Sequence, residues 1–474
     1  MRHASFVYAF DRFELDPTTR WLTCDGERIY VSDSQFSILL KLVAHAPELV
    51  PTEELAKAGW SASPRDSSIQ KAISRLRQTL GQDVTRIFIE TVTNRGYRFA
   101  ARVEQREIWG PRGGDSVNDQ AMRDFLQGRR DMATLDRDSI AAARIVFERT
   151  VERTPGDADA HAALAHACAL LFEASWVDAQ CDLNALKCAV KHAQIAVRLD
   201  EAFAEARSTL GFALYLNGDP DAALVAAWQA VKLEPTGWRH RLRLSFVGGG
   251  EDRTEAAHAT LSFRPELALA HWLDATVLIT RGALEAALKP ICAGCSAQDR
   301  QQLVTPVYPA VGLHLLHGHV LLVLNRPDDA MCEFDRELAN PNPGQVYARR
   351  CAANTWYAKG AVHLQRGAVE AATAAFRTSL DIAPGHFFSM AALGLPLPAL
   401  DPSDPRLGDL EIARSIAMAR AGRHCDAAQI YRALTQAART PHAGWHLPIE
   451  PILQPHLRPD VWGDVLAMIR ERAS

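Results

Sequence analysis

This sequence has no phosphate-cradling GxxxxGK[ST], no nucleophile-elbow GxSxG, no HExxH and no paired-carboxylate constellation, so it offers no catalytic residues and no cofactor site. Long apolar runs are missing too. The longest, Val311–Leu324, is interrupted by His314, His317 and His319 and falls short of the ~20 residues that span a bilayer. Met1–Phe13 has no apolar h-region and no small-residue cleavage site. The expectation is a cytoplasmic protein with no membrane partner. Neither charge sign dominates: 52 Lys and Arg against 56 Asp and Glu leave a net −4, so any polyanion binding must come from a local patch. Nine cysteines in 474 residues form no disulfide framework and read as free thiols. Cys292 and Cys295 have the spacing of a redox or zinc pair, and three histidines follow them. A zinc site would need those ligands to converge, and the spacing matches no standard finger, so inert cysteines and no metal are expected.

What is present changes character near residue 105. Before it, short strand-like segments ("YAFDRFELD", "RWLTCDG", "RIYVS") have turns at Asp16-Pro17-Thr18 and Asp25-Gly26 and lead into helices. Phe36, Leu39, Leu40 and Val43 fall at helical spacing behind a Ser32/Gln35 capping-box pattern. "TEELAKAGW" is a shorter second helix. "DSSIQKAISRLRQTLG" is a third, with Ile69, Ala72, Ile73, Leu76 and Leu80 on one face and Gly81 as its stop. Ile87–Phe99 is a closing hairpin. A Gly/Pro cluster at Gly110, Pro111, Gly113 and Gly114 marks a linker. Three segments are expected: residues 1–104, a linker 105–118, and a helical region 119–474.

With its apolar stripe inward, the third helix (67–80) leaves Gln70, Lys71, Ser74, Arg75, Arg77 and Gln78 outside, with no carboxylate among them. A structural surface helix usually mixes charge signs. The face suits the major groove, where Arg pairs with guanine and Gln with adenine, and equally a solvated surface. The hairpin adds Arg95 at its tip, beside Asn94 and Gly96. Arg98 lies on the opposite side of its strand from Tyr97 and Phe99, free for phosphates or the minor groove. From Arg65 to Arg106 there are nine cations and four anions, a positive excess inside an acidic chain.

Residues 6–104 resemble the OmpR/PhoB-type winged-helix DNA-binding domain. "FDRFELDPTTRWLTCDGERIYVSDSQFSILLKLV" is similar to its opening sheet and first helix, "ISRLRQTLG" to its recognition helix, and "IETVTNRGYRF" to its wing. The resemblance implies base contacts from Lys71, Ser74 and Arg75, phosphate contacts from Arg77 and Thr91, and a wing tip at Thr93–Arg95. The loop Gly59–Asp66, with Trp60, resembles the one through which relatives touch RNA polymerase. In response regulators a phosphoacceptor domain precedes this one. Here it comes first, which is closer to HilA/CadC/ToxR-like regulators but without a transmembrane helix, so no upstream aspartate is expected as the switch.

The second part repeats itself. "LGFALYLNGDPDAALVAAWQAVKLEP", "HGHVLLVLNRPDDAMCEFDREL", "WYAKGAVHLQRGAVEAATAAFRTSLDIAP" and "AMARAGRHCDAAQIYRALTQA" keep small residues at matching offsets, and the last three an aromatic as well: Gly318 and Gly360 stand sixteen residues before Phe334 and Phe376, and Gly367 and Gly422 stand nine before Phe376 and Tyr431. These resemble tetratricopeptide repeats. The copy from Ala165 to Ala196 carries an insertion around "SWVDAQCDLN", and near 240–300 the pattern nearly disappears. The fold expected is mainly α: an N-terminal α+β winged helix-turn-helix, then an all-α tetratricopeptide-like solenoid. The function expected is sequence-specific binding of double-stranded DNA by a transcriptional activator. The wing is 89–99, and the repeats hold a protein or peptide partner, an effector or a second copy on DNA. The alternative is an interaction scaffold whose winged helix binds protein.

Overall fold

The computed structural model describes residues 5–17, 21–24, 27–29, 31, 33–59, 66–82, 86–93, 95–108, 117–301, 308–339, 342–402, 404–437 and 444–473. They fall into two units, Met1–Arg123 and Asp124–Ser474.

Alternating burial along the first strands follows from their period of two. Phe13 and Leu15 of β2 (Phe13–Asp16) point inward, as do Val7 and Ala9 of β1 (Ser5–Phe10). With β3 (Trp21–Cys24) and β4 (Glu27–Ile29) they form an antiparallel meander. Its turn between β1 and β2 sits at Asp11, in the left-handed region, within a stretch that reads from sequence as one continuous strand. The turn expected at Asp25-Gly26 lies outside the described residues, as does the Ser32 cap. Helices α1 (Asp33–Ala44) and α2 (Thr52–Gly59) frame a short β5 (Leu49–Pro51). α3 (Asp66–Thr79) ends at Gly81 (φ +63), where Gln82 N–H returns to the Arg77 carbonyl at 2.8 Å. The hairpin is β6 (Ile89–Val92) and β7 (Gly96–Phe99), and a last strand, β8 (Glu104–Ile108), pairs with β1. The segment expected as linker from residue 105 therefore starts inside a sheet. Residues 109–116 lie outside the described set.

Two sheets result, β4-β3-β2-β1-β8 and β5-β7-β6. A single core joins them to the helices: Phe10, Phe13, Phe36, Leu39, Ile69, Ile73, Leu76, Phe88 and Phe99 are all at most 1% exposed. The rings of Phe10 and Phe99 meet edge to face at 4.9 Å.

In the second unit, helices pack as successive antiparallel hairpins. Examples are Ala204–Leu216 with Pro220–Leu233, Leu313–Val323 with Pro327–Leu338, and Ala348–Gln365 with Val369–Ile382. The small residues do what their spacing suggests. A Cβ on Gly318 would sit 2.3 Å from the Phe334 ring, and one on Gly360 2.5 Å from Phe376, so each aromatic lies directly on the facing helix. This is a tetratricopeptide-like array. The weak stretch near 240–300 is built in the same way, from Trp238–Val247 with Gly250–Phe263 and Ala268–Thr280 with Leu284–Arg300. Its adhesive differs. Buried Arg253 donates to the carbonyls of Gly248 and Phe246 and to Thr276 Oγ1, a polar clasp that a search for small and aromatic residues misses.

The array is not an open scaffold, because its winding brings distant segments together. The insertion around Trp176 is the bridge. Trp176 Nε1 donates to Asp409 (2.7 Å), the Val177 carbonyl accepts from Gly385 N–H (2.9 Å), and the Asp178 carbonyl accepts from Arg406 (3.1 Å). The stretch from Gly444 to Leu457 lies against earlier helices. Tyr357 donates to Glu450 at 2.5 Å, Gln365 donates to the Pro451 carbonyl at 2.9 Å, and the rings of Trp445 and Trp272 meet at 5.2 Å.

Candidate nucleic-acid interface

Every apolar residue of the α3 stripe is buried: Ile69, Ala72, Ile73, Leu76 and, just past the helix, Leu80. That fixes the rotation of the helix, because residues three and four apart share a face. Gln70, Lys71, Ser74, Arg75 and Gln78 are exposed together. Lys71 and Arg75, one turn apart, have no hydrogen-bond or ion-pair partner among the described residues.

Arg77 is placed differently. It follows Ile73 by four residues, so it stands at the edge of the buried stripe on the side of the hairpin. Its Nε and Nη2 donate to the Ile89 carbonyl (3.1 and 2.9 Å), and Nη2 also donates to Thr91 Oγ1 (2.8 Å). The two residues expected to contact phosphates are thus bonded to each other, and Arg77 braces the wing on the helix. Gln82, inconspicuous in the sequence, completes the brace. Its Oε1 accepts from Phe88 and Ile89 N–H (3.1 and 2.8 Å), while Nε2 donates to the Ile89 carbonyl (3.0 Å). The only local signal for it is its position directly after the terminating Gly81.

On the wing, Tyr97 and Phe99 point into the core and Arg98 points out, as the strand period requires. Arg98 is engaged as well, gripping Glu90 Oε2 on the neighbouring strand at 2.5 and 3.0 Å. The Arg95 side chain is exposed with no partner among the described residues, its backbone N–H closing the turn on the Val92 carbonyl at 3.0 Å, and Thr93 is exposed beside it. Asn94 lies outside the described residues, as do residues 60–65 of the loop expected to meet RNA polymerase. Gly96 serves more than the bend. Its φ is +144, and a Cβ there would lie 2.2 Å from the Val50 carbonyl oxygen. It admits β5 alongside the hairpin, where Pro51 stands opposite it.

A small sheet, a helical core whose third helix presents a cationic face, and a hairpin braced on that helix define a winged helix-turn-helix domain. Residues 26–99 match the family described as "Transcriptional regulatory protein, C terminal". Residues 26–99 thus form an OmpR/PhoB-type winged-helix domain. Transcriptional regulatory protein RstA of Escherichia coli K12 is 35% identical over 94 residues, 19% of this chain and 39% of RstA. Transcriptional regulatory protein GltR of Pseudomonas aeruginosa is 32% identical over 102 residues, 20% of this chain and 42% of GltR. The chain thus spans about two fifths of the length of these curated relatives. The RstA DNA-binding domain of Klebsiella pneumoniae, crystallised in complex with the RstA box, is 33% identical. The match covers 96% of that domain and 20% of this chain, with a TM-score of 0.19. No helix among the described residues is long and apolar enough to cross a membrane.

Proposed function

We propose that this protein is a transcriptional regulator that binds double-stranded DNA sequence-specifically, with α3 in the major groove and the wing tip on the adjacent backbone or minor groove. The carrying observation concerns two basic residues one turn apart on α3. Lys71 and Arg75 stand exposed on a face without acid, with no partner among the described residues, while neighbouring cations are tied into the fold. A purely structural surface helix usually mixes charge signs, and this exposed face carries cations and amides with no acid among them. In this reading Gln70, Lys71, Ser74 and Arg75 face base edges and nearby phosphates. Thr93, Asn94 and Arg95 approach the flanking backbone. Arg77, Thr91 and Arg98 hold the wing in register rather than carrying most of the phosphate contact.

The relatives' names support regulation of transcription, and activation is the direction we assign. Residues 1–104 would act as the DNA-binding module, 105–118 as the connection and 119–474 as the regulatory part, which receives a partner, an effector or a second copy on tandem sites. Contact with RNA polymerase would run through the loop 59–66. The test is retention of genomic fragments by the full chain at defined salt, in the presence of competitor DNA. Selective retention is expected. Arg75→Ala lowers affinity and reduces the slope of log Kobs against log[salt] by ~0.9 if Arg75 meets a phosphate, or relaxes sequence preference by about 1–3 kcal/mol if it meets a base. An Arg75→Ala protein with unchanged affinity, slope and preference refutes the placement of α3. Retention without any preference favours the interaction-scaffold reading.

A further inference from the structure

The second unit brings together four side chains with the chemistry of a transition-metal site, contributed by three consecutive helices. Cys295 comes from Leu284–Arg300, His314 and His317 from Leu313–Val323, and Glu333 from Pro327–Leu338. The donor atoms of Cys295, His317 and Glu333 all lie within 4.8 Å of one another. His314 Nδ1 is 2.6 Å from Glu333 Oε2, and His317 Nδ1 is 3.2 Å from the same oxygen. That His317 nitrogen is buried, and despite the short distance its direction leaves it without a hydrogen bond. Cys295 and His314 are 7% and 2% exposed.

The spacing explains why the sequence did not show this. His314 and His317 are three apart and share a helical face, but Cys295 and Glu333 reach them only through helix packing. The pair that looked suggestive, Cys292 with Cys295, is not the site. Cys292 is exposed and its thiol is not among the donors that converge, and His319 instead meets the Phe334 ring at 5.7 Å.

The surroundings are those of a metal centre as well. His314 Nε2 bonds Asp299 Oδ1 at 2.9 Å, the carboxylate–histidine contact that orients a ligating imidazole. Arg336 donates to Glu333 Oε1 at 3.0 Å, holding the carboxylate so that Oε2 faces the histidines. The neighbouring acid, Glu337, is occupied elsewhere. It caps the start of the His314 helix by accepting from the N–H groups of Gly312 (2.8 Å) and His314 (3.2 Å). Zinc takes Cys, His and carboxylate ligands at ~2.0–2.3 Å in a tetrahedron, which puts donors roughly 3.3–3.8 Å apart, a small adjustment from the separations here.

We propose that Cys295, His314, His317 and Glu333 form a tetrahedral site for a thiophilic divalent cation, zinc above all, that pins three helices of the array together. Three donors already converge, and His314, whose Nδ1 lies 2.6 Å from Glu333 Oε2, would turn to the ion as the fourth, giving the closed coordination of a structural rather than a catalytic site.

The probe is the metal alone, added to the chelator-stripped full-length chain. One zinc per chain should survive gel filtration. Cobalt in its place should show the near-ultraviolet thiolate charge-transfer band and the visible bands of a tetrahedral site. Cys295→Ser should abolish the charge-transfer band, and His317→Ala or Glu333→Gln should weaken binding at least tenfold. Cys292→Ser, at an exposed thiol, should bind as the parent does. Circular dichroism of each metal-free variant separates loss of ligand from loss of fold. The unsubstituted chain is decisive by itself: if it retains no zinc, the inference is wrong. It is equally wrong if Cys295→Ser leaves the cobalt spectrum unchanged, or if Cys292→Ser removes it. These outcomes are independent of DNA binding, so failure here and failure of the regulator reading are told apart.

Discussion

Replacing Arg77 with alanine separates a brace from a phosphate contact. The guanidinium makes three hydrogen bonds to the wing, two to the Ile89 carbonyl and one to Thr91 Oγ1. Hydrogen bonds to charged groups are worth about 1.5–3 kcal/mol each when buried, and a half-exposed group with shared acceptors contributes less. The Ile89 carbonyl keeps its bond from Gln82 Nε2, so no buried acceptor is orphaned by the change. A loss of about 1–2 kcal/mol in the local stability of the wing follows. At 1.4 kcal/mol per factor of ten, the hairpin amides should exchange with solvent roughly 5–30 times faster. Hydrogen exchange of peptides covering Ile89–Phe99 in the full-length chain reads this directly. DNA affinity should fall as well, because the wing is no longer held in place, but the salt slope should stay close to the parent's. Arg75→Ala should do the reverse, with exchange unchanged and the slope lower by ~0.9 if it meets a phosphate. An Arg77→Ala chain with unaltered wing exchange and a slope lowered by ~0.9 would show that Arg77 lies on the DNA, and the brace argument would fall.

Other consequences concern stability. Gly96→Ala puts a Cβ 2.2 Å from the Val50 oxygen at φ +144 and should cost about 3 kcal/mol or more, read as a lower urea midpoint for the N-terminal unit; a shift below about 0.5 kcal/mol would contradict the close approach of β5. Gly318→Ala forces the Phe334 ring to move and should cost about 1–3 kcal/mol in the array, measured by thermal unfolding, whereas Gly218→Ala meets no neighbouring atom and is penalised only through its backbone (φ +81). Glu450 is buried, and burial raises its carboxyl from 4.5 to about 7 against the hydrogen bonds it accepts from Tyr357, Leu453 and Ile452. The folded state therefore holds its proton more tightly than the unfolded one. The associated stability is fully present below pH ~4.5 and is lost progressively up to pH ~7, about 3 kcal/mol in all. Glu450→Gln should remove that slope and raise the melting temperature at pH 8; an unchanged profile would mean that the carboxyl ionises as readily in the fold as in the unfolded chain.

The local features could be read from the chain itself. The stripe from Ile69 to Leu80 set which face of α3 is buried, and so set Lys71 and Arg75 outside. Alternation along Gly96–Phe99 sent Tyr97 and Phe99 inward. Small and aromatic residues at fixed offsets announced the helix pairs around Gly318 and Gly360. These patterns have the period of a helix or a strand, and a period is a property of sequence alone.

What needed the tertiary structure was every pairing across a long stretch of chain. β5 and β8 are short and become strands only because β7 and β1 lie beside them. Arg98 looks free for DNA until Glu90 is placed opposite it, and Arg77 until the wing folds onto α3. Trp176 reads as part of a loop insertion until the winding of the array brings Asp409 to it. Cys295 and Glu333 are separated by two helix turns-back and meet His314 and His317 only through packing. In each case the residue types are ordinary and the partner is set by how helices and strands stack. A sequence records which faces must be buried; which side chains then meet on those faces depends on the packing that buries them.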